Sequence, residues 1–273
     1  MGVTRRGVFA AALLIGGGVS VVAQAATAPA PSSTSTWLGY EERLRARMRD
    51  AGGGDFDHDF GRELLTQTNG FRDDAALERY QWNEGLAAVA RAHAADMAAR
   101  GFFAHESPEG FTHLDRVSLL SRDLCASTVE NLAWRNDGGR ATSPRQFETM
   151  WEQSAGHRKN LLRDGYDSAG YGVVRVGTTY YAAGVYAATA VQLASPLPLT
   201  LDAGPELTRA LQGAQPAIQR MAVTRPFAQP TAMTTPGAGL PELDSGVWQL
   251  RPLQASGAGG RYNVLPGPMF FVA

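Results

Sequence analysis

Residues 151–162 read WEQSAGHRKNLL, and this stretch decides how the fold is interpreted. Its apolar residues recur at helical spacing until Gly156 interrupts them, and His157 opens a second short segment. Three shorter stretches accompany it: FAH at 103–105, ENLA at 130–133 and GYGV at 170–173. Two imidazoles and a carboxylate thus come from three segments. If they converge in space, they make a polar or metal-binding site.

The order of these stretches and their flanking residues resemble the CAP superfamily of cysteine-rich secretory proteins, antigen 5 and pathogenesis-related proteins, also called SCP domains. The match is to the bacterial branch. The resemblance implies an α+β fold, an α-β-α sandwich with a small antiparallel sheet, over residues 59–190. Eukaryotic members are rich in disulfides, whereas Cys125 is the only cysteine here, so stability must come from a packed core.

The resemblance also assigns the cleft residues. His105 matches the first histidine of the family's cleft, Glu130 the acidic residue of its Glu-Asn motif and His157 the second histidine. The family's second acidic position falls on Ser154, so this chain lacks that carboxylate. The predicted metal-binding set is therefore His105, Glu130 and His157.

The chemistry of this set leaves two structures open. Two imidazoles and one carboxylate suffice for zinc or another divalent cation with an open fourth position. They also suffice for a hydrogen-bonded cluster without metal. The chain has no nucleophile-elbow motif and no His-Glu-x-x-His helix, so we assign no catalytic residue and favour a protein that is not an enzyme.

Three functions follow as hypotheses. The first is an exported, non-catalytic binding module whose cleft holds a divalent metal ion or a small or lipid-like ligand. The second is a zinc-dependent, peptidase-like hydrolase in which His105, Glu130 and His157 would be catalytic. The third is a structural or interaction protein, in which the cluster braces the fold and the C-terminal extension contacts a protein partner.

The N-terminus predicts export. Arg5 and Arg6 precede an apolar stretch over 8–22 and the small-residue pattern AQA at 23–25, so residues 1–25 form the predicted signal peptide. The arginine pair resembles a twin-arginine signal, with a general secretory signal as the alternative. The apolar stretch is shorter than the ~20 residues of a membrane helix, so we predict a periplasmic or extracellular protein without a stable membrane anchor. The formal net charge of −1 argues against nucleic acid as a partner.

Local patterns divide the remaining chain. Residues 26–58 are predicted to form a linker and a short helix at 37–50, and residues 191–273 a Pro/Gly-rich C-terminal extension. The extension holds eleven of the fifteen prolines. We expect short helices at 206–221, a partly disordered segment at 225–241, and apolar ends that dock or pair as an edge strand.

Inside the domain, the patterns predict helices over 60–69, from the Asn83 cap to Gly101, and from Ser143-Pro144. Strands are predicted at 169–176 and 179–188, joined by a hairpin turn at Gly177-Thr178.

Some polar residues are predicted to be structural. His93 lies on an apolar helical face and is predicted to be a core histidine. We expect His58 and His113 at the surface. Cys125 is expected to be a small buried hydrophobe and Ser154 to stabilise a helix. Glu148 and Glu152 are expected to be solvated.

Overall fold

A computed structural model describes residues 33–201, 204–238, 242–256 and 262–273. The predicted signal peptide and the first residues of the predicted linker lie outside these ranges. No helix within them combines the length and the apolar character needed to cross a membrane.

Helices come first along the described chain, and strands dominate its end. The helices are α1 (Thr34–Asp50), α2 (His58–Asp74), α3 (Glu84–Arg100), α4 (His113–Leu120), α5 (Pro144–Gln153), α6 (Ala155–Leu161) and α7 (Gly204–Leu211). The strands are β1 (Asp55–Phe56), β2 (Gln81–Trp82), β3 (Leu124–Asn136), β4 (Ser168–Val176), β5 (Thr179–Gln192), β6 (Arg220–Thr224), β7 (Gly246–Ala255), β8 (Tyr262–Val264) and β9 (Met269–Val272).

The predicted helix boundaries are confirmed at their caps. The Asn83 side chain accepts the Leu86 N–H at 3.0 Å, so one free backbone donor of the first turn is satisfied. Gly101 ends α3 with a φ of 65°, which glycine adopts without steric cost. The break predicted at Gly156 falls instead at Ser154, whose extended backbone (φ −92°, ψ 118°) separates α5 from α6.

The central sheet has the strand order β1-β4-β5-β3, and β2 also pairs with β4. The predicted hairpin joins β4 to β5 through Gly177, which has a φ of 59°. β3 pairs antiparallel with β5 over 13 residues and forms one edge of the sheet. The sequence predicted no strand at these positions, and Glu130 lies in the middle of this edge strand.

Helices cover both faces of the sheet, as the α-β-α sandwich requires. Along β5, Ala182 and Tyr186 pack with residues of α2, α5 and α6. Ala183 and Val185 alternate with them and pack with α3 and α4 on the opposite face. The sequence of each strand therefore sorts its side chains into two separate apolar layers.

Two glycines of the GYGV stretch let a helix lie directly on the sheet. A Cβ on Gly170 would lie 2.1 Å from the Ala87 nitrogen, and one on Gly172 would lie 2.1 Å from the Arg91 nitrogen. Both nitrogens belong to the backbone of α3, so any larger residue would push that helix off the sheet. Tyr171 between them points to the other face and is buried.

The extension from residue 191 holds more regular structure than the sequence predicted. β7 pairs antiparallel with β6, β8 and β9, so a second, four-stranded sheet forms. Met269 and Phe271 of β9 pack in one apolar cluster with Trp37 and Tyr40 of α1. The expected docking and strand pairing of the apolar C-terminal residues are thus both found. Residues 225–238 lie outside named strands and helices, and 239–241 lie outside the described ranges.

A buried arginine joins the extension to the central domain. Arg122 follows α4, and its guanidinium donates to the carbonyls of Leu197 at 2.6 Å and Met269 at 2.9 Å. Burial lowers the pKa of Arg122 to about 10, which still leaves the group charged at neutral pH. Its two carbonyl partners come from segments that sequence analysis assigned to the extension.

Candidate functional site

Glu130 is at the centre of the site. It lies on the same side of β3 as Leu132, facing α4, and only 5% of its surface is exposed. Its Oε1 lies 2.9 Å from the His105 Nδ1, and its Oε2 accepts from the Arg116 Nη2 at 2.8 Å. Both carboxylate oxygens therefore have protein partners.

Arg116 is the residue that sequence analysis missed. It lies on α4, is fully buried, and donates through the same Nη2 to the His105 carbonyl at 2.9 Å. Burial by itself would raise the pKa of Glu130, but the Arg116 guanidinium and the surrounding histidines together outweigh burial and hold that pKa well below its usual range. The only available signal was an arginine beside the apolar residues of α4, which gives no indication of its partner.

His105 presents the accessible part of the site. Its side chain is 53% exposed, and Glu130 holds the ring by Nδ1. A carboxylate accepts only, so Nδ1 carries the proton in this hydrogen bond. In a neutral imidazole the other ring nitrogen is an acceptor, and on this half-exposed ring it can bind a metal ion or accept a hydrogen bond from a ligand.

His157 approaches from the other side of the sheet. It lies in the first turn of α6, and its backbone carbonyl accepts a hydrogen bond from the Asn131 side chain at 3.1 Å. Burial, and then the neighbouring His105, lower the pKa of the half-buried His157 imidazole. The two histidines are thus near enough to interact electrostatically. Among the described residues, no hydrogen bond joins the His157 ring to His105 or Glu130.

The signature residues around the site also protect the edge of β3. Three successive outward carbonyls of this strand accept from side chains: Thr128 from His113 at 3.1 Å, Glu130 from Asn160 at 3.3 Å, and Leu132 from Trp151 at 2.9 Å. An unprotected edge strand would invite pairing with another chain. Trp151 and Asn160 therefore close this edge while they fix α5 and α6 against it.

Two further histidines lie under the site. His93 is buried, as predicted, and its Nε2 lies 2.9 Å from the Ala104 carbonyl. Burial and then Arg116 lower its pKa to about 3, so the ring is neutral. The surface position expected for His113 is wrong, because this ring is half-buried against β3 and burial lowers its pKa. His58 is exposed, as expected.

The predicted three-ligand set fits a metal ion poorly as it stands. Among the described residues, no group of three or more His, Cys, Asp and Glu side chains is arranged to hold one. Glu130 is occupied by Arg116 and His105, so its oxygens are not free to be ligands. The two imidazoles are the groups left for coordination, and Glu130 has the position of a carboxylate that orients a histidine ligand.

The surroundings of the remaining polar residues show which of the sequence-based expectations about them are correct. Ser154 does not share a continuous helix with His157, because the chain leaves α5 at this residue. Cys125 is buried as expected, and burial raises its pKa to about 12. The solvated position expected for Glu148 is wrong, since it is fully buried. Two open clefts of about 350 and 450 Å³ lie along β4, and neither is lined by the predicted site residues.

Part of this chain is similar to known proteins. Residues 65–191 match the sequence profile of the CAP, or cysteine-rich secretory protein, family. YkwD of Bacillus subtilis, an uncharacterized protein, is 30% identical over 121 residues, which are 44% of this chain and 45% of that protein. YlbC of Bacillus subtilis, an uncharacterized membrane protein, is 32% identical over 114 residues, 42% of this chain and 31% of that protein. The matches thus span less than half the length of either relative.

Solved structures with partial likeness come from other bacteria. An outer surface protein of Borrelia burgdorferi has a TM-score of 0.44 and 16% identity, over 50% of this chain and 98% of that one. An extracellular protein of Bacillus anthracis that contains an SCP domain has a TM-score of 0.41 and 25% identity, over 48% of this chain and 41% of that one. The profile match extends from α2 into β5 and contains His105, Glu130, His157 and the two β4 glycines, so residues 65–191, just under half of the chain, form a CAP-family segment.

Proposed function

We propose that this chain is an exported, non-catalytic binding module, whose cleft over the edge of β3 holds a divalent metal ion or a small or lipid-like ligand. The observation that carries the proposal is the placement of Glu130 between Arg116 and His105. It keeps the carboxylate charged, fixes the His105 ring and leaves one ring nitrogen for a ligand.

The ligand chemistry follows from the two imidazoles. A neutral imidazole nitrogen binds either a metal ion or a hydrogen-bond donor. If a metal ion is bound, His105 and His157 would be its protein ligands, and Glu130 would orient His105 from behind. Such a site would leave further coordination positions open to water or to a polar group of the ligand.

A binding role is favoured over catalysis by the absence of an activated nucleophile. Among the described residues, no serine, threonine or cysteine side chain hydrogen-bonds to the ring of His105 or His157. The raised pKa of Cys125 keeps that thiol protonated. The hydrolase hypothesis would therefore depend on a bound metal ion alone.

The test is calorimetric titration of the mature protein with zinc and with calcium. We expect micromolar zinc binding that is lost in His105→Ala and in His157→Ala. His58→Ala is the matched control, because this exposed histidine lies away from the cleft and its loss should leave binding unchanged. Equal zinc binding by the parent and both cleft variants would contradict the metal arm of the proposal.

A bracing role is the second candidate, and the buried Arg116–Glu130 pair favours it. In that case His105→Ala and His157→Ala would lower the free energy of unfolding by about 1 kcal/mol or more. Neither variant would then change the binding of zinc or of a lipid probe such as a fluorescent fatty acid. The combination of stability and titration data separates the two functions.

Export is part of the same proposal. It is supported by the predicted signal at 1–25, in which an arginine pair precedes an apolar stretch and a small-residue cleavage pattern. Replacing Arg5 and Arg6 by lysine should retain the protein inside the cell if the twin-arginine route is used. Unchanged export of that variant would indicate the general secretory route.

A further inference from the structure

We propose that α1, which lies outside the family-matched segment, is a positioning element of the cleft and acts through Tyr40 and Arg43 on the loop that carries His105. This inference rests on the proposed function, since it concerns the same cleft. The loop runs over residues 101–112, between α3 and α4.

The first contact is an aromatic stack under the end of the loop. The Tyr40 ring is fully buried and lies parallel to the Phe111 ring, with centroids 3.9 Å apart. Trp37 meets the same ring edge-on at 4.9 Å. The Phe111 carbonyl in turn accepts from the Ser107 N–H at 2.9 Å and from Arg116 at 3.3 Å. α1 therefore fixes the C-terminal half of the loop.

The second contact reaches the site itself. The buried Tyr40 hydroxyl makes no hydrogen bond within the described part of the chain, and Arg116 is the cation that acts on it most strongly. Arg116 holds both the His105 carbonyl and the Glu130 carboxylate that orients the His105 ring. A displacement of Arg116 would thus shift the backbone and the ring of His105 together.

The third contact is ionic. Glu109 of the loop pairs with Arg43 of α1 at 3.2 Å and with Arg100 of α3 at 2.7 Å. The side chains of Arg43 and Glu109 are about one-third exposed, so solvent screens the pair only in part. The loop is therefore held between two helices, one inside and one outside the matched segment.

These contacts act on affinity through preorganisation. A loop that is already ordered loses less conformational entropy when a ligand binds, so loosening it weakens binding without removing any ligand contact. Tyr40 and Arg43 do not line the accessible part of the site. Their effect would reach a ligand only through the position of His105.

The experiment uses the full mature chain and the variants Tyr40→Leu and Arg43→Gln. Tyr40→Leu removes the ring stack on Phe111, whereas Tyr40→Phe keeps it and is the matched control. Arg43→Lys is the charge-conserving rescue of Arg43→Gln. Asp73→Asn is a second control, because Asp73 lies at the end of α2, on the other face of the sheet, and forms an exposed pair with Arg79. Hydrogen exchange of residues 101–112 is measured without metal, and zinc affinity by calorimetry.

We expect at least threefold faster exchange in the loop and severalfold weaker zinc binding in Tyr40→Leu and Arg43→Gln. Arg43→Lys should restore both towards the parent values, and Tyr40→Phe and Asp73→Asn should change neither. Unchanged loop exchange in both variants would overturn the proposal, and so would faster exchange spread over the whole protein. Failure of the parent to bind zinc would contradict only the metal arm of the proposed function, because the exchange experiment needs no ligand.

Discussion

Two glutamates are buried on opposite faces of the same sheet, and their hydrogen-bond partners differ. Glu130 on β3 has an arginine and a histidine as partners. Among the described residues, Glu148 on α5 has the Thr68 hydroxyl alone, at 3.2 Å from each of its oxygens. Burial would raise the pKa of either carboxyl group. The comparison therefore shows what charged neighbours do to a buried carboxyl group.

The partner decides the charge. Arg116 and the surrounding histidines together keep the pKa of Glu130 below its usual range, so the group is a carboxylate. Burial raises the pKa of Glu148 to about 8, against which the Thr68 hydrogen bond is too weak, so the group is protonated at neutral pH. The charged Glu130 carboxylate orients an exposed imidazole, as a binding site requires. The neutral Glu148 carboxyl group is part of the buried core.

The neutral glutamate still supports the cleft. Thr68 lies 2.7 Å from the Tyr171 hydroxyl, and the Tyr171 and Tyr186 rings meet edge-on with centroids 5.8 Å apart. Tyr186 accepts from Asn131 at 3.3 Å, and Asn131 holds the carbonyl of His157. A buried network therefore runs from Glu148 to the second histidine. It braces that side of the cleft, as Arg116 braces the other.

The largest effect is expected when the charged glutamate loses its cation. Arg116→Met keeps the apolar length of the side chain and leaves Glu130 buried without a counter-charge. We expect the free energy of unfolding to fall by about 3–5 kcal/mol, measured by urea denaturation. Arg79→Met, at an exposed arginine, should change it by less than about 0.5 kcal/mol. A loss below about 1 kcal/mol for Arg116→Met would mean that Glu130 is not held by this pair.

The next effect is a pH dependence carried by Glu148. Its pKa in the folded state, about 8, lies above the unfolded value of 4.5. Its contribution to stability is therefore fully present below pH 4.5 and is lost as the pH rises through about 8. Between pH 5.5 and 7.5 the free energy of unfolding should therefore fall by about 2–3 kcal/mol. Glu148→Gln should remove this slope in denaturation experiments across that range.

Glu130 is expected to behave in the opposite sense. Because its folded-state pKa is depressed, its stabilisation is present above about pH 4.5 and is lost only as the pH falls below that value. Glu130 therefore contributes no pH dependence to the free energy of unfolding between pH 5.5 and 7.5.

A pH dependence of the unfolding free energy that is identical in the parent and in Glu148→Gln would show that Glu148 is already ionised in the folded protein.

A smaller effect should follow from the hydroxyl between Glu148 and Tyr171. Thr68→Val keeps the side-chain shape and removes the hydrogen bonds to both groups. We expect a loss of about 1–2 kcal/mol of unfolding free energy, because a buried polar group is left without a partner. The same change should raise the pKa of Glu148 further, which a steeper pH dependence above pH 7 would reveal. Thr66→Val, an exposed position on the same helix, is the matched control.

The smallest effect is expected from the exposed partner of Glu130. His105→Ala removes one hydrogen bond but leaves the Arg116–Glu130 pair intact, so we expect a loss of about 1 kcal/mol or less by urea denaturation. A loss above about 2 kcal/mol would make His105 a structural brace and not a ligand-binding group. His58→Ala should be neutral.

Much of the architecture could be predicted from local patterns. Asn83, Gly101 and the Ser143-Pro144 start were identified correctly, because caps depend on neighbouring residues alone. The β4–β5 hairpin was predicted for the same reason. β3 was not predicted, since its alternation is interrupted by Glu130 and Asn131, which are buried by tertiary contacts.

The site was predictable only in part. The resemblance pointed to His105, Glu130 and His157, and the structure brings the first two into contact. Arg116 was missed and Glu148 was placed in solvent, because a sequence shows the type of a charged residue but not what lies against it. The contacts of α1 with the loop that carries His105 could not be predicted either, since Tyr40 lies 76 positions before Arg116 in the chain.

Local patterns were enough to predict the helix caps and the hairpin, because each depends on residue type and short spacing, and the quoted motifs were enough to indicate the family. The packing of the chain was needed to show which buried glutamate is charged, which imidazole is held, and that α1 and the C-terminal strands pack on the central domain. The physical reason is that a pKa and a fixed ring depend on groups within a few ångströms in space, whatever their separation along the chain.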